Sequence, residues 1–317
     1  MSPESPAASP AAETPARPRS RAARRIAAAT AAFGLAGTLA AAPAAADEAD
    51  LADRYVALGD SFTAGPFIPV TTGDPLLCLR STNNYPQRVA EALGAADFTD
   101  ASCSGAVTEH MTEPQELSLG QSNAPQFDAL TPDTTLVTVG IGGNDLGFGE
   151  VVLRCAEESV TDPGGDPCRR YYEQDDGSDE LAGRVPETGE KVAAVLEGVR
   201  ERSPQATVVV VGYLQLLPEK KGCWPVVPVA EGDVGYLDSL QSALNAELEA
   251  RAAEAGAVFA DVFERGRDMC APASEKWVEG IFPTRPAAPV HPNRSGMDAV
   301  GDRVLEALGV REHAPQA

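Results

Sequence analysis

Tyr55-Val56-Ala57-Leu58-Gly59-Asp60-Ser61-Phe62-Thr63-Ala64-Gly65 begins as an apolar run with β-branched and aromatic members, the pattern of a buried strand. The run breaks at Gly59, offers Ser61, and passes through small residues to Gly65. A strand that ends in such a turn presents a side chain at the edge of a sheet. The helix that follows aims its N-terminal N–H groups at the same edge, which favours a negatively charged oxygen there. Ser61 is therefore the candidate nucleophile. An isolated Gly-Asp-Ser is more often just a strand-to-helix turn with its cap, so the case depends on what the rest of the chain supplies.

Outward from this stretch, apolar runs alternate with helical patterns. Residues 98–102, 134–140, 206–213 and 257–262 read as further strands, and the run with four consecutive valines is the strongest of them. Tyr85 to Leu93, Glu187 to Arg202, Tyr236 to Ala255 and Gly296 to Leu308 read as helices; the second places Val192, Val195, Leu196 and Val199 on one face. Strands separated by helices predict a three-layer α/β/α domain around a parallel sheet of about five strands. Two insertions interrupt it. Cys155 to Glu180, rich in Asp, Gly and Pro, reads as a disulfide-pinned loop. Leu216 to Gly235 is apolar but broken by prolines, and either lines a substrate pocket or packs over the core.

The chain has 317 residues. An arginine cluster (Arg17, Arg19, Arg21, Arg24, Arg25), an Ala-rich apolar run and Ala44-Ala45-Ala46 follow one another in the order of a secretory signal peptide. Residues 1–46 are read as that leader, by either export route, and 47–317 as one domain. The leader holds five of the 25 basic and two of the 47 acidic side chains, which leaves the mature part at −25. Such a charge argues against a nucleic-acid partner and against adsorption to anionic membranes. No later stretch reads as a bilayer span, and the protein is taken to act as a monomer. All six cysteines, Cys78, Cys103, Cys155, Cys168, Cys223 and Cys270, lie in the mature part. An even number in a secreted chain predicts three disulfides, with the pairing left open. No C-x-x-C and no nearby histidine at ligand spacing supports a metal site, and the acids Asp162, Asp166, Asp175, Asp176 and Asp179 lack EF-hand spacing.

A neutral serine needs a general base, and histidine is the natural one. There are three: His110, His291 and His313. His313 lies in the tail, and His110 starts or caps a helix. His291, in Pro289-Val290-His291-Pro292-Asn293, sits in a Pro-stiffened loop directly before the last helix. Acyl transfer also needs donors for an oxyanion. Gly142-Gly143-Asn144-Asp145 closes one strand, so Asn144 can offer a side-chain amide, and Gly105, after another strand, can offer a bare N–H. In a parallel sheet these junctions emerge at one edge.

Gly59-Asp60-Ser61-Phe62, Ser104-Gly105-Ala106, Gly142-Gly143-Asn144-Asp145 and His291-Pro292-Asn293 resemble, in order, the four blocks of the SGNH (GDSL) hydrolases, most of all their secreted actinobacterial lipases and esterases. The resemblance spans residues 53 to about 308. It implies a flavodoxin-like sheet, Ser61 as nucleophile, His291 as base, and the Ser61 amide, Gly105 amide and Asn144 as oxyanion donors. It also implies disulfides Cys78–Cys103, Cys155–Cys168 and Cys223–Cys270. One position departs: family members mostly carry an aspartate three residues before the histidine, and here Ala288 stands there. A Ser–His dyad is expected instead, with the carbonyl of Ala288 or a neighbour orienting the imidazole. Asp60 is given a structural role. The expected activity is extracellular hydrolysis of acyl or lipid esters through an acyl-Ser61 intermediate, with no metal or organic cofactor. A polysaccharide acetyl esterase with the same machinery and a non-catalytic binding module are the alternatives.

Overall fold

The computed structural model describes residues 51–310; the leader read in residues 1–46 and His313 lie outside them. Five parallel strands build the main sheet: β1 (Arg54–Gly59), β2 (Asp97–Asp100), β3 (Leu136–Gly140), β4 (Thr207–Val211) and β5 (Val258–Ala260). They are arranged β2-β1-β3-β4-β5, the order of a flavodoxin-like doubly wound sheet. In that order the chain reverses direction across the sheet between β1 and β3, which are paired from Tyr55–Leu136 to Gly59–Gly140. A crevice is expected outside the carboxyl ends of those two strands.

Alternation along the strands produces two cores. Val56, Leu58, Val137, Val139, Val208 and Val210 face one side and pack with Val192, Leu196, Leu244 and Leu248. Tyr55, Ala57, Leu136, Val209 and Val211 face the other, with Tyr85, Val89, Met297, Val300 and Val304. The covering helices, in chain order, are α1 (Ser61–Ala64), α2 (Tyr85–Leu93), α3 (Gly143–Leu146), α4 (Phe148–Ser159), α5 (Pro167–Tyr172), α6 (Glu180–Arg202), α7 (Glu231–Ala255) and α8 (Arg294–Ala307). α6 and α7 cover the first core, α2 and α8 the second.

Three segments differ from the sequence reading. Cys155 to Glu180 is not a plain loop: it holds the end of α4 and all of α5. Pro167 starts α5, and the Asp233 carboxylate accepts from the N–H groups of Cys168 and Arg169, each at 2.9 Å. These are first-turn donors that the helix itself cannot satisfy. Four of the five acids read in this insertion are engaged by neighbours: Arg170 pairs with Asp162 at 2.8 Å and with Asp166, Ser178 bonds Asp176, and Asp179 caps α6. α6 starts at Glu180 rather than Glu187 and runs through Pro186; the Asp179 cap at 3.1 Å to the Ala182 N–H sets its start ahead of the proline. α7 likewise starts at Glu231, before Tyr236. The disulfides are Cys78–Cys103, Cys155–Cys168 and Cys223–Cys270.

Candidate active site

β1 ends at Gly59, whose φ of +153° turns the chain off the sheet where a Cβ would collide with Thr63 and the Gly140 carbonyl. Gln126 clamps this junction, accepting from the Gly59 N–H at 2.8 Å and donating to its carbonyl at 2.9 Å. Asp60 then caps α1, its Oδ1 accepting from the Phe62 N–H at 2.8 Å. Ser61 stands at the first position of α1, buried apart from the face it turns to a crevice.

The other half comes from the loop before α8. His291 Nε2 lies 2.8 Å from Ser61 Oγ, and His291 Nδ1 lies 2.7 Å from the Pro289 carbonyl oxygen. A carbonyl can only accept, so Nδ1 carries the ring proton and Nε2 presents its lone pair to the serine hydroxyl. The orienting carbonyl is thus that of Pro289, the neighbour of Ala288, and not that of Ala288 itself. The Ala288 carbonyl is occupied within the turn, where it accepts from the His291 N–H at 3.2 Å. Val290 at φ 63° bends the loop so that the Pro289 oxygen reaches the ring. Burial lowers the His291 pKa from its ordinary value, with the Pro289 bond pulling the other way.

Asn144 sits in α3, behind the tight turn at Gly142 (φ 118°). Its Nδ2 donates to the Ala106 carbonyl at 2.9 Å. One amide hydrogen is thereby fixed on the Gly105–Ala106 turn, and the other is left for the crevice. Ser61, Asn144 and His291 line one cavity of about 370 Å³. Gly105 does not line it, but it adjoins the turn that holds Asn144, and the Cys78–Cys103 disulfide anchors that turn. Among the described residues, neither the Ser61 nor the Gly105 N–H donates to another protein group. His110 lies elsewhere, its Nδ1 accepting from the Val107 N–H at 3.0 Å.

Most of the remaining cavity wall is apolar, formed by Phe62, Phe148, Val152, Leu153, Leu216, Ile281 and Val290, with Asp60 and Tyr213 also bordering it. It continues into a narrow space of about 40 Å³ bounded by Val227, Val229, Leu240 and Met269. The Leu216 to Gly235 insertion therefore fits both of its readings: Leu216, Val227 and Val229 line the cavity or its extension and also pack into the second core.

Asp60 is fully buried, and burial pushes its carboxyl up to about 7, against the hydrogen bonds from Tyr213 and Phe62. Its Oδ2 accepts from the Tyr213 hydroxyl at 2.6 Å, and Tyr213 Oη accepts from the Gly143 N–H at 2.7 Å. With both carboxylate oxygens engaged by these groups, Asp60 is not a partner of His291. Pro289 is among the neighbours of Ala288 to which the sequence reading extends, whereas Tyr213 and Gln126 are not singled out by it. Tyr213 has a signal, an aromatic at the end of the run read as the strongest strand, two residues past β4; Gln126 has none.

Residues 57–299 match the GDSL-like Lipase/Acylhydrolase family. The chain is 36% identical over 262 residues to "Lipase 2" of Streptomyces coelicolor, covering 81% of this chain and 86% of that one. Among solved structures it resembles phospholipase A1 from Streptomyces albidoflavus NA297, with a TM-score of 0.64, 26% identity, and coverage of 81% and 98%. It also resembles the extracellular lipase from Streptomyces rimosus, with a TM-score of 0.64, 25% identity, and coverage of 81% and 100%. The chain belongs to the GDSL-like lipase/acylhydrolase family and is a carboxylic-ester hydrolase.

Proposed function

We propose that the protein is a secreted lipase or esterase that cleaves acyl or lipid esters through an acyl-Ser61 intermediate, with His291 as general base. The observation that carries this reading is the 2.8 Å approach of Ser61 Oγ to His291 Nε2, with Nδ1 held by the Pro289 carbonyl at 2.7 Å. Ser61 Oγ attacks the ester carbonyl as His291 Nε2 takes its proton. The carbonyl oxygen becomes an oxyanion held by Asn144 Nδ2 and the Ser61 and Gly105 N–H groups. Collapse of the tetrahedral adduct breaks the bond to the alcohol oxygen, which leaves with the proton from His291. Water then attacks the acyl-serine, again giving its proton to His291, and the acid departs as Ser61 regains its hydrogen. No metal or organic cofactor enters these steps. The three disulfides and the leader read in residues 1–46 support secretion.

Ser61→Ala should lower hydrolysis of p-nitrophenyl esters by about a thousandfold or more; wild-type turnover in that variant would end the proposal. The apolar wall and its narrow extension support an acyl chain in the cavity over an acetyl group. A profile of p-nitrophenyl esters should therefore rise from acetyl to about octanoyl, and a steep preference for acetyl would favour the polysaccharide acetyl esterase instead.

A further inference from the structure

We infer that Tyr213 is a positioning residue which, together with the Asp60 carboxyl, fixes the distance between the turn carrying Ser61 and the turn carrying Asn144. The inference rests on the proposed role of Asn144 as an oxyanion donor. The two turns leave adjacent strands; the Asp60 N–H donates to the Gly140 carbonyl at 3.0 Å where the strands end, and beyond that point no backbone hydrogen bond joins α1 to α3 among the described residues. The bridge between them is made of side chains. Asp60 Oδ1 accepts from the Phe62 N–H, and its Oδ2 accepts from the Tyr213 hydroxyl at 2.6 Å. Tyr213 Oη then accepts from the N–H of Gly143, directly before Asn144, at 2.7 Å. A phenol suits this position because one atom donates to the first turn and accepts from the second.

The bridge is held stiffly at its centre. The Tyr213 main chain is clamped by Asn245 of α7, which accepts from its N–H and donates to its carbonyl, each at 2.8 Å. Its ring is met edge-on by Phe62 at 5.2 Å and Phe148 at 6.0 Å. Gly143 is the residue that lets the phenol come so close: a Cβ there would lie 3.0 Å from Tyr213 Cζ. Tyr213 and Asp60 are 2% and 1% exposed, although both border the cavity, so little water reaches a lost partner. Removing the hydroxyl strands both the Gly143 N–H and an oxygen of Asp60, and relief requires one turn to move relative to the other. Displacement of an oxyanion donor acts on the transition state and leaves ground-state binding largely untouched.

The test is a double-mutant cycle in kcat. Tyr213→Phe keeps the ring packing and should lower kcat by about ten- to a hundredfold with KM within about twofold. In the Asn144→Ala background the same substitution should cost less than about threefold, because the donor it places is already gone. A wild-type kcat in folded Tyr213→Phe, or an equal loss in both backgrounds, would overturn the inference. Asn144→Ala with wild-type kcat would instead remove the oxyanion reading on which it rests. Should Tyr213→Phe not fold, Asp60→Asn serves in the same cycle. Its amide keeps the Phe62 bond but donates to the phenol oxygen, leaving the phenol proton without an acceptor, and the same non-additive loss is expected.

Discussion

His291 meets one oxygen at each end of its ring, the Ser61 hydroxyl and the Pro289 carbonyl. Neither carries a charge, so burial, the larger effect, lowers its basicity, and the Pro289 bond opposes this without the charge that a carboxylate would bring. In its proposed role as general base, His291 must be neutral to accept the serine proton. With its pKa depressed, it stays neutral to lower pH than a free imidazole and loses function only as pH falls through the depressed value. The acidic limb of kcat/KM, measured on an uncharged ester, should therefore have its midpoint below about 6.5. A midpoint at 7 or above would assign the limb to Asp60, whose carboxyl burial raises to about 7.

At the scale of elements, α8 decides where His291 stands. Its N-cap is Asn293, whose Oδ1 accepts from the Gly296 N–H at 3.1 Å. The Asn293 amide donates to the Lys276 carbonyl at 3.0 Å and to the buried Glu279 carboxylate at 2.8 Å. The Glu279 N–H in turn donates to the His291 carbonyl at 2.9 Å. One asparagine thus ties the helix start, the loop of Glu279 and the histidine together. Asn293→Ala should destabilise the fold by about 2–3 kcal/mol in denaturant unfolding, from the lost cap and the unsatisfied Glu279. It should also reduce kcat; unchanged stability would show the cap to be replaceable.

The elements also show what a sequence can carry. β1, β3 and β4 are legible because strands covered on both faces are unbroken apolar runs, and Ser61 and Asn144 are legible because each follows such a run closely. The start of α6 is not, since Pro186 outweighs a cap seven residues earlier when only local preference is read. The clamp of Gln126 on Gly59 spans 67 positions and that of Asp60 on Tyr213 spans 153. Such pairings depend on the sheet order and have no local signature.

For the whole molecule, charge is the dominant feature. Residues 47–317 carry 45 acidic against 20 basic side chains, and many arginines are already shared among acids: Arg251 with Glu190, Glu247 and Glu254, Arg303 with Glu264 and Glu306. Exposed pairs of this kind contribute little each, while the excess of like charge opposes the compact state. Screening should relieve that repulsion more than it weakens the pairs. Raising salt from about 10 mM to about 500 mM at neutral pH should raise the melting temperature; a fall would mean that the pairs outweigh the repulsion.

The pocket wall comes from places the sheet does not constrain. Phe148, Val152 and Leu153 belong to α4, pinned by Cys155–Cys168, and Leu216, Val227 and Val229 to the insertion pinned by Cys223–Cys270. Ser61 and Asn144 instead stand at the ends of strands. Apart from Phe62 and Val290, which adjoin Ser61 and His291, much of the wall is therefore tethered separately from the reacting atoms, and descent can rewrite that part while leaving the site in place. On the proposed acyl-ester reading, a lineage that exchanges these two cystine-bound segments can drift toward new acyl chains while its reacting atoms stay in place.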